Sequence, residues 1–139
     1  MDRGDLQQLA ELRIVESHAL LTLPTPLPDG AYYLAGYAVE CALKACIAKA
    51  FVAESWPDKK FVLECHTHDI LDLVRLAELE VDRAADIAVN PARKTNWNLT
   101  NDWSESSRYE RHAQLKAQKL YDAITDPNSG VLPWIKAHW

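Results

Sequence analysis

The stretch that decides the fold is AYYLAGYAVECALKACIAKA, residues 31–50. Only Glu40, Lys44 and Lys49 interrupt side chains that would make a helix apolar on nearly every side. A surface helix keeps one polar face, so neighbouring elements must cover most of the circumference of this helix. The stretch therefore predicts the central helix of an α-helical bundle.

The same stretch is long enough to cross a membrane, but spanning helices have about 20 residues with few or no charges. Glu40 and Lys44 lie near its middle, one helical turn apart and with the glutamate first. That order and spacing favour an ion pair on a narrow polar stripe. The sequence therefore predicts a buried helix and no membrane span.

The composition favours one all-α domain over residues 1–139. Glycine is scarce, with 4 residues in the chain, and no alternating strand pattern is bounded by hairpin turns. We expect an up-and-down bundle of four to five helices. The cysteines, Cys41, Cys46 and Cys65, are odd in number and have no CxxC spacing, which favours reduced thiols. Without a signal-peptide pattern at the N-terminus, a cytoplasmic protein is expected.

Helical periodicity, caps and prolines set the expected element boundaries. The expected helices are residues 5–21, residues 29–50 with Asp29 as N-cap, residues 67–79 with Thr67 as N-cap, residues 82–89, residues 107–125 and residues 131–139. Residues 56–60 and the polar stretch 91–107 are expected to be loops.

A local excess of positive charge marks one candidate site. Residues 90–120 carry six basic and three acidic side chains, whereas the whole chain has a net charge of -5. Ser107 and Glu110 match the S-x-x-E capping box, which predicts that the last long helix starts there. The free N–H groups of that helix start, together with Arg108 and Arg111, would favour an anion such as phosphate. The alternative is that Arg108 pairs with a bundle carboxylate such as Glu105 or Glu40.

Three segments resemble the HEPN (higher eukaryotes and prokaryotes nucleotide-binding) domain family. They are YYLAGYAVECALKA at residues 32–45, THDIL at residues 67–71, and Arg108-Tyr109. The resemblance extends over roughly residues 6–124. It implies a helical bundle that commonly forms dimers and is often encoded beside a nucleotidyltransferase or acts in toxin-antitoxin systems.

The resemblance leaves two functions open. In the first, the chain is a nucleotide- or RNA-associated partner module, with Arg108, Tyr109 and Arg111 as phosphate- or nucleotide-binding residues. In the second, it is a metal-independent endoribonuclease toxin, with Arg108 holding the phosphate and His112 transferring protons. Family ribonucleases have four to six residues between these two side chains, and this sequence has three. A purely structural interaction protein is a third possibility.

Other candidate residues have simpler interpretations. The segment from Cys65 to Asp69 contains metal-ligand types, but their spacing favours a helix cap, and neither a metal nor a cofactor is expected. Trp97 and Trp103 could stack on bases near Arg93, although packing against the bundle is favoured. Tyr32, Tyr33 and Tyr37 are expected to pack or to contact a second copy, and a homodimer is expected.

Overall fold

A computed structural model describes all residues from Met1 to Trp139 and contains eight α-helices, two 3-10 helices and no strands. The α-helices are α1 (Arg3–Leu21), α2 (Pro28–Ile47), α3 (Lys59–Glu64), α4 (Ile70–Leu76), α5 (Glu80–Val89), α6 (Pro91–Asn101), α7 (Gln114–Thr125) and α8 (Val131–Lys136). The 3-10 helices are Ala48–Ala50 and Glu105–Tyr109. The all-α class is confirmed, whereas the expected number of four to five helices is too low.

The central position of α2 is confirmed. Thirteen of its residues are buried, and it packs against α1, α4, α7, α8 and the Glu105–Tyr109 helix. Small residues such as Ala35 and Ala38 are fully buried and let the neighbouring helices approach closely. Leu43 and Val39 fill the space between these neighbours. Burying large apolar side chains such as these two contributes about 1.5–3 kcal/mol each.

The proline-rich connection joins α1 to α2 with fixed geometry. The N–H of Leu27 donates to the carbonyl of Leu20 over 3.0 Å. The buried hydroxyl of Ser17 donates to the carbonyl of Ala31 over 2.8 Å, which satisfies a polar group inside the α1–α2 contact. The expectation that Asp29 caps α2 is wrong. Leu27 occupies the N-cap, because Pro28 is suited to the first helical position. The carboxylate of Asp29 does not cap the helix and can contact other residues.

The segment expected to be a loop after residue 91 is helix α6. Asn90 ends α5 and also caps α6, where its side-chain oxygen accepts the N–H of Arg93 over 3.0 Å. Pro91 then occupies the first helical position. The polar composition of α6 is explained by its single buried face, on which Trp97 and Thr100 lie.

The last long helix does not start at Ser107, so the predicted capping box is wrong. The hydroxyl of Ser107 donates to the carbonyl of Ser104 over 2.7 Å, and this closes the Glu105–Tyr109 3-10 helix. Glu110 is extended, and α7 begins only at Gln114 with Ala113 as an N-cap that has no capping side chain. The local hydrogen bond of Ser107 has replaced the helix cap that its sequence pattern indicated.

Smaller differences concern helix ends. Asp69, rather than Thr67, caps α4 by accepting the N–H of Asp72 over 2.9 Å. Asp58 accepts the N–H of Phe61 and caps α3. This helix begins at Lys59, so the end of the expected 56–60 loop is helical. In both places an aspartate lies directly before the helix, where its short carboxylate reaches the free N–H groups of the first turn.

Candidate functional site

Arg108 lies in the last turn of the Glu105–Tyr109 3-10 helix and is exposed. Its guanidinium carbon is 4.9 Å from the centre of the Tyr109 ring, a cation–π arrangement. Hydrogen bonding with Tyr109, with a smaller contribution from Tyr33, raises the pKa of Arg108 above its ordinary value. Arg108 forms no salt bridge, so the expectation that it pairs with Glu105 or Glu40 is wrong. An anion from solvent would therefore compete with the tyrosine contacts and with the nearby charge of Glu105, but with no salt bridge.

Arg111 is also exposed but has a different neighbour. Its guanidinium lies 3.4 Å from Asp29 at the start of α2, and its side chain is 97% exposed. An ion pair this exposed contributes at most about 1 kcal/mol, so it can be exchanged for a phosphate at little cost. The same aspartate accepts the backbone N–H of His112 over 2.6 Å, which fixes the chain between Arg111 and α7.

His112 is buried, in contrast to Arg108. Its side chain is 1% exposed, and its ring stacks on Tyr32 with a centroid distance of 4.0 Å. Nε2 lies 3.2 Å from the carbonyl of Ser107, and Nδ1 has no hydrogen-bond partner. The structure therefore does not place His112 and Arg108 on one accessible surface. In this arrangement His112 supports the path of the chain before α7.

A group of four polar side chains that was not anticipated as a site includes Glu105, from the short helix that carries Arg108. We call it the Glu40 cluster, and it consists of Glu40, Lys44, His68 and Glu105. The predicted Glu40–Lys44 pair is confirmed, with 2.8 Å between Nζ and Oε1. The same Oε1 lies 2.8 Å from Nδ1 of His68, and Nε2 of His68 lies 3.1 Å from Glu105. The imidazole thus bridges a carboxylate of α2 and one of the 3-10 helix.

The geometry of the Glu40 cluster gives it a positioning role. A neutral imidazole has one N–H, so hydrogen bonds at both ring nitrogens require either a doubly protonated ring that donates to both carboxylates or a neutral ring that donates to one carboxylate and accepts from a protonated carboxyl group. The side chain of Glu40 is 3% exposed and its Oε2 has no hydrogen-bond partner. His68 and Glu105 are each 44% exposed, so the contact between them contributes at most about 1 kcal/mol. His68 connects Glu105, and with it the short helix that carries Arg108, to α2.

Both tryptophans proposed as base-stacking groups are buried. Trp97 is 0% exposed and Trp103 is 3% exposed. The guanidinium of Arg83 covers the Trp97 ring at 4.7 Å, and Trp103 packs over Gly36 beside Tyr33. Their packing role, which the sequence favoured, is confirmed. Trp103 also anchors the chain just before the Glu105–Tyr109 helix.

The three tyrosines of α2 divide between the core and the site. Tyr32 is buried, whereas Tyr33 and Tyr37 are half-buried and stack on each other with centroids 5.9 Å apart. Tyr33 and Tyr37, together with Glu40 and Lys44, lie along one face of the helix. Sequence reasoning missed this arrangement, although the isolated Glu40 in an apolar helix was its signal.

The cysteines and the Cys65–Asp69 segment show no arrangement for a metal. No group of three or more histidine, cysteine, aspartate or glutamate side chains converges in a way that could hold an ion. All three cysteines are free, and burial raises the pKa of Cys41 and of Cys46 to about 11. These two thiols are therefore protonated and unreactive at neutral pH.

Comparison with known proteins adds no family assignment. The chain matches no family model, no curated protein and no solved structure. None of its helices combines the length and apolar character that crossing a membrane requires.

Proposed function

We propose that the chain is a HEPN-like nucleotide- or RNA-associated partner module. Arg108, Tyr109 and Arg111 bind the phosphate or nucleotide. The observation that carries this proposal is the state of Arg108, which is exposed, lies against an aromatic ring and has no carboxylate partner. An arginine in that state offers two parallel N–H donors to a phosphate.

Tyr109 adds a stacking surface beside that donor. It is 80% exposed, so its ring is accessible from solvent. Single-stranded RNA and nucleotides are commonly held by a base stacked on an aromatic ring and a phosphate bound by arginine. The pair Arg108–Tyr109 provides both elements at adjacent positions.

The Glu40 cluster supports the same proposal, because it joins the three segments on which the HEPN resemblance depends. Glu40 belongs to the first segment, His68 to the second, and Glu105 lies in the short helix of the third. A binding residue on a helix that is connected to α2 in this way loses little backbone entropy when a ligand arrives. The dimer, the up-and-down bundle and a nucleotidyltransferase or antitoxin partner belong to this same proposal.

The ribonuclease alternative has less support. His112 would have to leave its stack on Tyr32 before it could reach a phosphate held by Arg108. A general acid or base must come within hydrogen-bond distance of the reacting group. We therefore favour binding without strong catalysis.

Titration of a fluorescent single-stranded RNA and of a nucleotide into the purified protein tests the proposal. Arg108→Ala should weaken binding about tenfold or more through loss of a charge-assisted contact, and Tyr109→Ala should weaken it several-fold. The matched control is Arg3→Ala, another exposed arginine, which lies with Lys44 and Ala48 at the other end of α2. Equal binding by wild type, Arg108→Ala and Tyr109→Ala would refute the proposal.

A cleavage assay on the same RNA, run with a chelator, separates the two functions. Under the module proposal, His112→Ala leaves RNA binding intact and no cleavage is seen in either protein. Chelator-resistant cleavage by wild type that disappears in folded His112→Ala would establish the ribonuclease alternative instead. Circular dichroism checks that the wild type and His112→Ala have the same fold.

A further inference from the structure

A cavity lies between α2, α6 and α7. Its volume is about 310 Å³, at the lower end of the range for ligand pockets. Its walls are mostly apolar and are formed by Tyr32, Leu99, Ala113, Leu115 and Leu120. The cavity is thus suited to the hydrocarbon part of a small molecule.

The lining of this cavity carries more positive than negative charge. Lys116 and Lys119 line it from α7, three residues apart and therefore on one face of the helix. Neither lysine has a carboxylate partner, and Nζ of Lys116 lies 5.0 Å from the Tyr32 ring centre. Asp102 is the single acidic group in the lining. Two unpaired ammonium groups beside apolar walls indicate an anionic ligand with an apolar body.

The start of α7 adds neutral donors at the same place. Ala113, Leu115 and Lys116 line the cavity and belong to the N-cap and first turn of this 12-residue helix. No side chain caps it, and the backbone N–H groups of residues 114–116 have no acceptor in the protein. Such groups and the positive end of the helix dipole favour a carboxylate over an amine or an alcohol.

We propose that this cavity binds a small organic carboxylate with an apolar body, of the size of a medium-chain fatty acid. The carboxylate lies between Lys116, Lys119 and the first turn of α7, and the hydrocarbon part lies against Leu99 and Leu120. The site is separate from the one proposed for nucleotides or RNA, because Arg108 and Tyr109 do not line it.

Isothermal titration calorimetry with octanoate, 1-octanol and octylammonium tests the proposal, because the three probes share a chain and differ in charge. Octanoate should bind the full-length protein with a Kd of about 1 mM or tighter, and the other two probes should bind at least about fivefold more weakly. Amide chemical-shift changes should be largest at residues 114–116. Equal affinity for octanoate and octanol, or no binding of octanoate at about 10 mM, would overturn the proposal.

Five variants locate the site. Lys116→Met and Lys119→Met remove the charge but keep most of the side-chain length, and each should weaken octanoate binding about fivefold, whereas Asp102→Asn should strengthen it about twofold. Lys94→Met is the matched lysine control, and it should bind octanoate like the wild type. Arg108→Ala should also leave octanoate binding unchanged, which separates this proposal from the nucleotide site. Unchanged binding in both lysine variants, or weaker binding in Asp102→Asn, would contradict it.

Discussion

Replacement of Gly36 by alanine should destabilise the protein, although the same change normally stabilises a helix. Gly36 lies inside α2, where alanine is favoured by about 1 kcal/mol on helix propensity. A Cβ atom at this position would meet three atoms of the Trp103 ring well inside 3.0 Å, a separation that real Cβ atoms essentially never show. The ring must therefore withdraw, although Trp103 is buried, at 3% exposed.

The expected magnitude follows from these opposing terms. Overpacking a core costs about 1–3 kcal/mol and sometimes more, and loss of all Trp103 packing would cost about 3–5 kcal/mol. Because the new Cβ atom would meet three ring atoms at once, we expect a cost of about 2–4 kcal/mol, and the propensity gain of about 1 kcal/mol leaves a net loss of about 1–3 kcal/mol in the free energy of unfolding. With a urea slope of about 1–3 kcal/mol per molar, the midpoint should fall by roughly 1 M.

Urea denaturation followed by circular dichroism measures this loss. Gly30→Ala is the matched control in the same helix, because its new Cβ would meet only the methyl end of Leu20 at 3.0 Å, which can move. We expect Gly30→Ala to stay within about 0.5 kcal/mol of wild type. A second variant, Gly36→Ala with Trp103→Leu, should lose less than the sum of the single changes, because the smaller side chain relieves the clash. A Gly36→Ala protein as stable as wild type would refute the reasoning.

Two further predictions concern the thiols and the oligomer. Because the pKa of Cys41 and of Cys46 is about 11 in the fold and about 9 when exposed, the folded state retains protons that the unfolded chain loses between these values. The contribution of each thiol to the free energy of unfolding should therefore be fully present below pH 9 and should fall by on the order of 2 kcal/mol as the pH rises to 11. In urea melts, a Cys41→Ala, Cys46→Ala protein should lose stability less steeply over this pH range. Equal slopes for the variant and the wild type would contradict the raised pKa of these two thiols. Light scattering at tens of micromolar should give a homodimer, and a monomer mass would remove that part of the proposed function.

The central helix could be predicted because its sequence pattern is long and has a single structural interpretation. A run of apolar residues longer than a strand, interrupted only by Glu40 and Lys44 one turn apart, has one consistent interpretation. The start of α7 could not be predicted in the same way. The Ser107–Glu110 pattern fits a capping box, but the hydroxyl of Ser107 had a nearer acceptor in Ser104, and local patterns do not show which of two hydrogen bonds forms.

In the candidate site, too, contacts between residues close in sequence could be predicted, and contacts between distant residues could not. The Glu40–Lys44 pair follows from sequence spacing, because its two side chains lie one turn apart on the same helix. The contacts of His68 with Glu40 and Glu105 connect residues 28 and 37 positions away, and only the packing of α4 and the 3-10 helix against α2 brings them together. Burial of His112 depends on Tyr32 in the same way.

The buried carboxylate of Glu40 has a consequence for the uniqueness of the fold. A helix that is apolar on almost every side can rotate about its axis or slide by one turn and still bury similar amounts of hydrocarbon, so apolar packing alone discriminates poorly between such arrangements. Glu40 meets His68 in only one of them, and in every other it would be buried away from that imidazole. We infer that this single charge sets the rotation and register of α2, as isolated polar groups do in coiled coils.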